Sequence, residues 1–517
     1  MKKLKLVCVA IAMACATPTL AGGLLTNTNQ HVAFDRMMSR EASIGIDGVY
    51  YNPAGVVFMS EGHHLAINWQ LAFQTRTINN DYALFTNNVN NPTTPRDFKG
   101  TAFAPVVPSF QYAYNKGKWS FQASFALTGG GGKCTFDDGL GSFEKIVAET
   151  AIAACQLAGA VDQVAGAYGV PAIFSSNQVF GTEGKYSYNS YMHGRQYYYG
   201  LSAGAAYKFS DNFSAFLGVR GVYALTNYYG YVENIQVGQM PLYKVLNPAK
   251  ESSANIELSC DQSGVGFTPI IGVDYKTGRW NFSAKYEFKT RIRLKNKSVN
   301  QIPSIGNLPD NLRNAYIANG VPEAAADAIL SNPKIQGVMV ALKTQFDQKL
   351  NEAIGEYEDG KKIAGDIPAY LALGVGYSPV DAVRVNVGFH WFDDKNATSY
   401  NNRNKELKRG TLEYNAGVEV DVNKKITLST GWQNTNYGLS DEYMDDKSFV
   451  VSSNSVAVGG VYHINKKMDL NVAYFHTFYQ HKKTTETVQL TADRSLNYSS
   501  DYTRNNNVFA VGLDINF

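Results

Sequence analysis

The chain has 517 residues, 47 Lys and Arg against 44 Asp and Glu, and a net charge of +3. So small a surplus excludes a basic nucleic-acid-binding surface and an electrostatic membrane anchor. Only 18% of residues are charged, Tyr (33) and Gly (46) are plentiful, and after the N-terminal leader no apolar run of about 20 residues exists; this excludes a spanning helix and leaves a barrel, where only alternate residues face lipid.

Met1-Lys2-Lys3-Leu4-Lys5 leads into apolar Leu6 to Ala16 and then Thr17-Pro18-Thr19-Leu20-Ala21. A basic start, a short apolar run and a small-residue exit predict a secretory signal peptide over residues 1–21. Export makes oxidation available to Cys134, Cys155 and Cys260; the odd number leaves at least one thiol unpaired, and both a Cys134–Cys155 bridge and three free thiols stay open. Residues 22–62 carry little strand signal, and their one tight local signal is Asn52-Pro53-Ala54-Gly55. This stretch is predicted to be a plug, or hatch, with Arg36, Arg40 and Asp47 as candidate contacts to the wall of a barrel built from residues 63–517.

From His64 the hydrophobic period becomes two. Leu65, Ile67, Trp69, Leu71 and Phe73 fall on one face, Ala66, Asn68, Gln70 and Gln74 on the other. The alternation recurs over Pro108–Tyr114, Trp119–Leu127, Tyr199–Phe209, Phe213–Val219, Val265–Tyr275, Trp280–Phe288 and Ile367–Tyr377. It continues over Val383–Trp391, Leu412–Val422, Ile426–Trp432, Val456–Ile464, Met468–Tyr474 and Phe509–Phe517, which makes fourteen strands. Short polar turns such as Asn115-Lys116-Gly117-Lys118 alternate strictly with long connections, as brief periplasmic turns alternate with outer loops in an outer-membrane barrel. Outer loops are predicted at 129–193, 229–264 and 295–365, with helical patterning at Phe143 to Tyr168, Asn311 to Leu330 and Ile335 to Ile354, and Pro309 and Pro322 as helix starts. Their apolar faces pack on one another or around a ligand. The predicted fold is all-β and transmembrane: a fourteen-stranded antiparallel barrel with a lumenal plug and helical extracellular loops.

Gly129-Gly130-Gly131-Gly132-Lys133-Cys134-Thr135 imitates a phosphate loop, but Leu127 stands where a glycine belongs and Cys134 where Ser or Thr should follow the lysine. Nucleotide binding is rejected, and the glycine run predicts a bend ending the third strand, a candidate opening in the wall. The eight His residues lack metal spacing and no Ser/His/Asp set or carboxylate pair has supporting context, so no catalytic residue, metal, cofactor or enzyme activity is expected. Alternation directs Arg220, Lys285, Lys289 and Arg384 inward with Glu287 and Asn386; these cations are candidates to hold a ligand carboxylate, or else pair with charges of the wall or plug. Asp441, Glu442, Asp445 and Asp446 read as a solvated acidic loop, or as a divalent-cation site bridging lipopolysaccharide.

The plug with Asn52-Pro53-Ala54 just before strand one, the fourteen alternating strands, the helical outer loops and the terminal Phe517 resemble the FadL-type family of outer-membrane long-chain fatty-acid and hydrocarbon transporters, over essentially the whole mature chain. The resemblance implies a hatch that blocks the lumen. A hydrophobic small molecule, foremost a long-chain fatty acid, docks on the outer loops, enters a lumenal pocket and leaves sideways through a gap at a kinked third strand, for which Gly129, Gly130, Gly131 and Gly132 are the candidates. Transport is then passive. The implied setting is a monomer in the bacterial outer membrane, with outer-membrane lipid, lipopolysaccharide and, during biogenesis, the barrel-assembly machinery as partners. A FadL-like barrel that acts as a secretion or assembly partner and binds proteins is the second reading; a general porin is disfavoured by the plug.

Overall fold

The computed structural model describes residue 24 and residues 26–303, 307–337, 339–340, 343–344, 355–491 and 494–517. The predicted signal peptide and much of the predicted Ile335 to Ile354 helix lie outside the described residues.

Fourteen antiparallel strands form the wall. They are β1 (Gly62–Tyr82), β2 (Arg96–Lys116), β3 (Trp119–Phe136), β4 (Tyr186–Lys208), β5 (Phe213–Val237), β6 (Ile256–Thr277) and β7 (Trp280–Glu287), followed by β8 (Tyr370–Val380), β9 (Val383–Phe392), β10 (Leu412–Asn423), β11 (Ile426–Asn436), β12 (Ser453–Asn465), β13 (Met468–Tyr479) and β14 (Arg494–Asn516). Closure is made by β1 on β14, in register from His64↔Asn516 to Tyr82↔Tyr498. A closed ladder leaves no edge strand facing lipid. The period-two pattern sorts the faces: Trp69, Leu201, Leu217, Phe267, Leu428 and Val472 point outward and are exposed, while Asn68, Gln111, Gln122, Asn415 and Asn471 are buried inside.

Several strands run further than the hydrophobic alternation. β3 continues to Phe136, β4 begins at Tyr186, β5 reaches Val237 and β6 begins at Ile256. Above the bilayer the outward face no longer needs apolar side chains, so the sequence signal fades while the hydrogen-bonded ladder goes on. β7 stops at Glu287 and resumes as Arg293–Gln301, which pairs with the outer part of β6. A hairpin arm, Lys482–Thr491, pairs with the outer part of β14.

Two short helices lie in the plug, α1 (Val32–Met37) and α2 (Gly48–Tyr51); α3 (Gly141–Gly166), α4 (Tyr243–Leu246), α5 (Leu308–Ala318) and α6 (Glu323–Leu330) belong to the outer loops. Pro309 sits in the first turn of α5 and Pro322 caps α6. Glu144 in the first turn of α3 suits the positive end of the helix. It accepts hydrogen bonds from Asn88, Tyr186 and Tyr188, each at 2.9 Å, and pairs with Arg96. The helices bury Val147, Val161, Leu246, Leu312, Tyr316 and Ile329 against one another in one apolar cluster over the barrel mouth. Cys134, Cys155 and Cys260 are buried free thiols.

Candidate functional site

The plug crosses the lumen and is fixed to the wall by polar bonds distributed along its length. Asn52-Pro53-Ala54-Gly55 forms a turn closed by the Gly55 amide on the Asn52 carbonyl (3.0 Å). Around this turn, the Asn52 side chain donates to Asp274 of β6 (2.6 Å), Gln122 of β3 donates to the Pro53 carbonyl (2.7 Å), and Ser214 of β5 donates to the Ala54 carbonyl (2.7 Å). Three consecutive residues thus tie three strands together. Further along, the plug backbone lies directly on the wall. The Met37 carbonyl sits where a Cβ on either Gly417 or Gly431 would be, and these glycines face each other between β10 and β11. Only a residue without a side chain permits that approach.

Charged groups of the plug pair within the lumen. Arg36 reaches Glu419 of β10, donates to Ser429 of β11 (3.0 Å) and to Asn471 of β13 (3.2 Å). Arg40 clasps Asp47 through two nitrogens (2.7 and 3.1 Å) and stands 3.7 Å from Glu419. Asp47 therefore faces Arg40 inside the plug. Glu41 meets His390 of β9 (2.7 Å), whose other ring nitrogen meets Glu413 of β10 (2.8 Å). Burial pushes both plug carboxyls up, but the Arg40 guanidinium holds Asp47, and the charge and hydrogen bond of His390 hold Glu41, below the usual carboxylate range.

The lumenal cations expected from alternation have partners. Arg220 grips Glu287 with two bonds (2.6 and 3.0 Å); Lys285 bonds Glu287 (2.9 Å) and the Tyr50 carbonyl of the plug (2.6 Å). Arg384 is paired with Glu419 (2.6 Å) and Asp421. Lys289 lies in the gap between β7 and its continuation, apart from the other three, and donates to the Asn396 carbonyl (3.1 Å). The internal pairing that the sequence left as an alternative is what these four side chains make.

A different pair of cations lines an open space. A cavity of about 220 Å3 lies above the plug, bounded by Ala72, Arg76, Ala102, Gly130, Cys134 and Arg504 among others. Arg76 and Arg504 are directly opposite each other across the β1–β14 seam. Arg76 donates to Gln74 (3.2 Å), Arg504 lies 5.1 Å from the centre of the Tyr479 ring, and the buried Nε of Arg504 has no hydrogen-bond partner among the described residues. Neither arginine has a carboxylate partner within salt-bridge distance among those residues. Two half-buried arginines side by side with an unspent donor make an anion-binding arrangement.

Beside this cavity the wall is unzipped. β2 and β3 pair from Lys116↔Trp119 to Ser109↔Ala126 and again from Ala102↔Cys134 to Gly100↔Phe136; between Ala102 and Ser109 on β2 they are not paired. Pro105 and Pro108 occupy that stretch of β2 and supply no N–H for a ladder. On the facing strand, the pairing of β3 with β4 slips between Leu127 and Gly129 and again between Gly130 and Gly132. Gly130 has φ +72°, and a Cβ there would strike the Gln196 carbonyl, so glycine is required. The glycine run does not end β3 as expected; it bulges the strand twice, and pairing resumes beyond it. The first residues of the plug cover this gap from inside. The Asn27 amide donates to the Thr128 carbonyl (3.0 Å), and its side chain donates to the carbonyls of Gly130 (2.7 Å) and Leu127 (3.2 Å).

Above the lumen, the loop helices enclose an apolar pocket lined by Ala153, Leu157, Val161, Leu246, Leu308 and Leu312. A second apolar space, with Phe143, Val232 and Leu258 on its walls, shares Met192 and Tyr228 with the lumenal cavity. Both belong to one continuous apolar cluster from the loops to the cavity roof. Sequence reasoning missed Arg76, Arg504 and Asn27. Apart from Ile78, Gln74 to Asn80 is polar on both faces, and only its register against β14 brings the two arginines together.

No protein-family model matches the chain and no curated protein matches it. Among solved structures it is similar to a FadL homologue of Pseudomonas aeruginosa, at 15% identity and a TM-score of 0.58, over 97% of this chain and 100% of that one. It is also similar to the TodX deltaS2S3 mutant monoaromatic hydrocarbon channel, at 14% identity and a TM-score of 0.53, over 96% of this chain and 100% of that one. At this identity the likeness concerns architecture: the chain has the plugged, fourteen-stranded fold of the FadL-type barrels.

Proposed function

We propose that the protein is a passive outer-membrane channel for hydrophobic small molecules and that its cargo carries a carboxylate, as a long-chain fatty acid does. The carrying observation is the lumenal cavity in which Arg76 and Arg504 lack a carboxylate partner among the described residues, beside the unpaired stretch of β2 and β3. An acyl chain gains about 0.8 kcal/mol per buried methylene along the apolar loop cluster. A carboxylate on the arginine pair adds roughly 1.5–3 kcal/mol. The cargo docks among α3, α4 and α5, passes the Met192–Tyr228 neck, seats its head group on the arginines and leaves between β2 and β3 into lipid. Release into the bilayer spares the chain a return to water. That a channel of the same fold is a monoaromatic hydrocarbon channel supports a hydrophobic cargo.

Purified barrel tested for co-purifying lipids by mass spectrometry should retain fatty acids. In planar bilayers the intact protein should carry no steady ion current, and deletion of residues 22–58 should produce one. A large open conductance in the intact protein, or retention of neutral hydrocarbons with no preference for acids, would overturn the proposal.

A further inference from the structure

The outer wall carries a second polar feature, on the face turned away from the lumen. Lys133 of β3 stands opposite Arg195 of β4, Arg195 opposite Asn227 of β5, Asn227 opposite Asp261 of β6, and Asp261 opposite Lys297 of the Arg293–Gln301 strand. One level therefore runs around five neighbouring strands. The inward partners of this level are buried: Leu294 and Asn296 point inside, which turns Lys295 and Lys297 outward. Lys133, Arg195, Lys295 and Lys297 are all exposed, and none has a salt-bridge partner among the described residues. The single negative group in the row, Asp261, is hydrogen-bonded by Asn227 (2.8 Å). Between Arg195, Lys295 and Lys297 lies an open groove of about 400 Å3, lined also by Tyr197, Tyr199, Tyr223 and Asp261. The rings of Tyr197 and Tyr199 stack at 5.9 Å on its wall.

The groove's height on the barrel identifies its occupant. Directly below it the same outward face is apolar, with Leu201, Leu217, Val265 and Phe267 all exposed. Arg195 lies twelve residues along β4 from Tyr207, which marks the opposite rim beside Trp119. At about 3.3 Å per residue and a tilt near 40°, that separation is roughly 30 Å, just past an apolar band of about 25 Å. The cations therefore stand at the level of the outer-leaflet head groups, above rings suited to that interface.

We propose that this groove is a binding site for a phosphorylated glycolipid of the outer leaflet, its phosphates held by Lys133, Arg195, Lys295 and Lys297 and its acyl chains lying on Leu201, Leu217 and Phe267. Continuity with the apolar belt at Leu201, Leu217 and Phe267 suits an amphiphile better than a soluble macromolecule. The proposal rests on the outer-membrane reading above but not on the nature of the cargo.

The test is native mass spectrometry of the purified full-length barrel with bisphosphorylated lipid A, with dephosphorylated lipid A, and with inorganic phosphate as competitor. Wild type should retain the bisphosphorylated lipid and release the dephosphorylated one. The variant K133Q/R195Q/K295Q/K297Q should bind about tenfold or more weakly, since each cation near an anionic surface contributes to attachment. K116Q/K118Q/K424Q, at the opposite rim, should bind as wild type does, and both variants should keep the heat-modifiable mobility of a folded barrel. Equal retention by the first variant, equal loss in the second, or displacement of the lipid by inorganic phosphate would overturn the assignment. Cargo uptake by the first variant should equal that of wild type; uptake lost in the variant alone would overturn the assignment, whereas uptake absent from wild type would count against the channel reading alone.

Discussion

Arg76 and Arg504 stand opposite each other where β1 closes on β14, two guanidinium groups sharing one cavity with no carboxylate partner on either among the described residues. Like charges this close repel, and a bound anion relieves them. Arg76→Gln or Arg504→Gln should weaken retention of a long-chain fatty acid by about 10- to 100-fold, the worth of one charge-assisted bond. Retention of an alkane of equal length should be unchanged, and the empty variant should melt no lower than wild type. Titration with a fluorescent fatty acid and its uncharged analogue checks this; equal losses for both would remove the arginines from ligand binding.

Asn27 holds the unpaired part of β3 through one backbone and two side-chain bonds. Asn27→Ala keeps the backbone bond and loses the other two, about 1 kcal/mol each. Release of fatty acid from the reconstituted barrel into vesicle lipid should be several-fold faster, without an ion current. Stopped-flow transfer measurements alongside bilayer recordings separate the two effects. An ion current in this variant would show that Asn27 holds the whole plug.

The barrel was legible because two independent signals coincide at every crossing: apolar alternation within the bilayer and a short polar turn at one rim. Where the wall rises above the membrane only backbone pairing persists, and nothing in the residues of Gln74 to Asn80 or Ser187 to Tyr191 announces it. The Asn52 turn was placed by its position before β1, but its three strand partners are scattered from Gln122 to Asp274. Gly129 to Gly132 read as a bend; that β2 parts from β3 at this level depends on Pro105 and Pro108, two strands' worth of information that only register combines.

Gly417 and Gly431 leave room for the Met37 carbonyl. Gly431→Val should push the plug off β10 and β11 by more than a bond length. The expected result is a barrel that assembles and keeps its heat-modifiable mobility but conducts ions, with faster proteolysis of residues 26–61. Gly221→Val, an outward position on β5 free of close neighbours, should do neither.

The plug carboxyls set a pH response. Glu41 and Asp47 are held below their usual range in the seated plug. A carboxyl depressed on seating contributes fully above its free value, near 4, and loses that contribution as pH falls through its seated value. Through Glu41, whose partner His390 stands on the wall, the plug should therefore be seated at about pH 5 and should loosen below about pH 4. Ion current across that range is the measurement. A transition near neutrality would assign the response to other groups.

The two ends of the plug are fastened very differently. Asn52 to Ala54 and Arg36 are tied to six strands spread around the barrel, whereas Asn27 is tied to β3, along the stretch that β2 has let go. On the proposed route, a short slip of the leading residues would bare the side gap while the floor of the pore stays in place. On that route the wall would thus let oil escape sideways while it remains tight to salt.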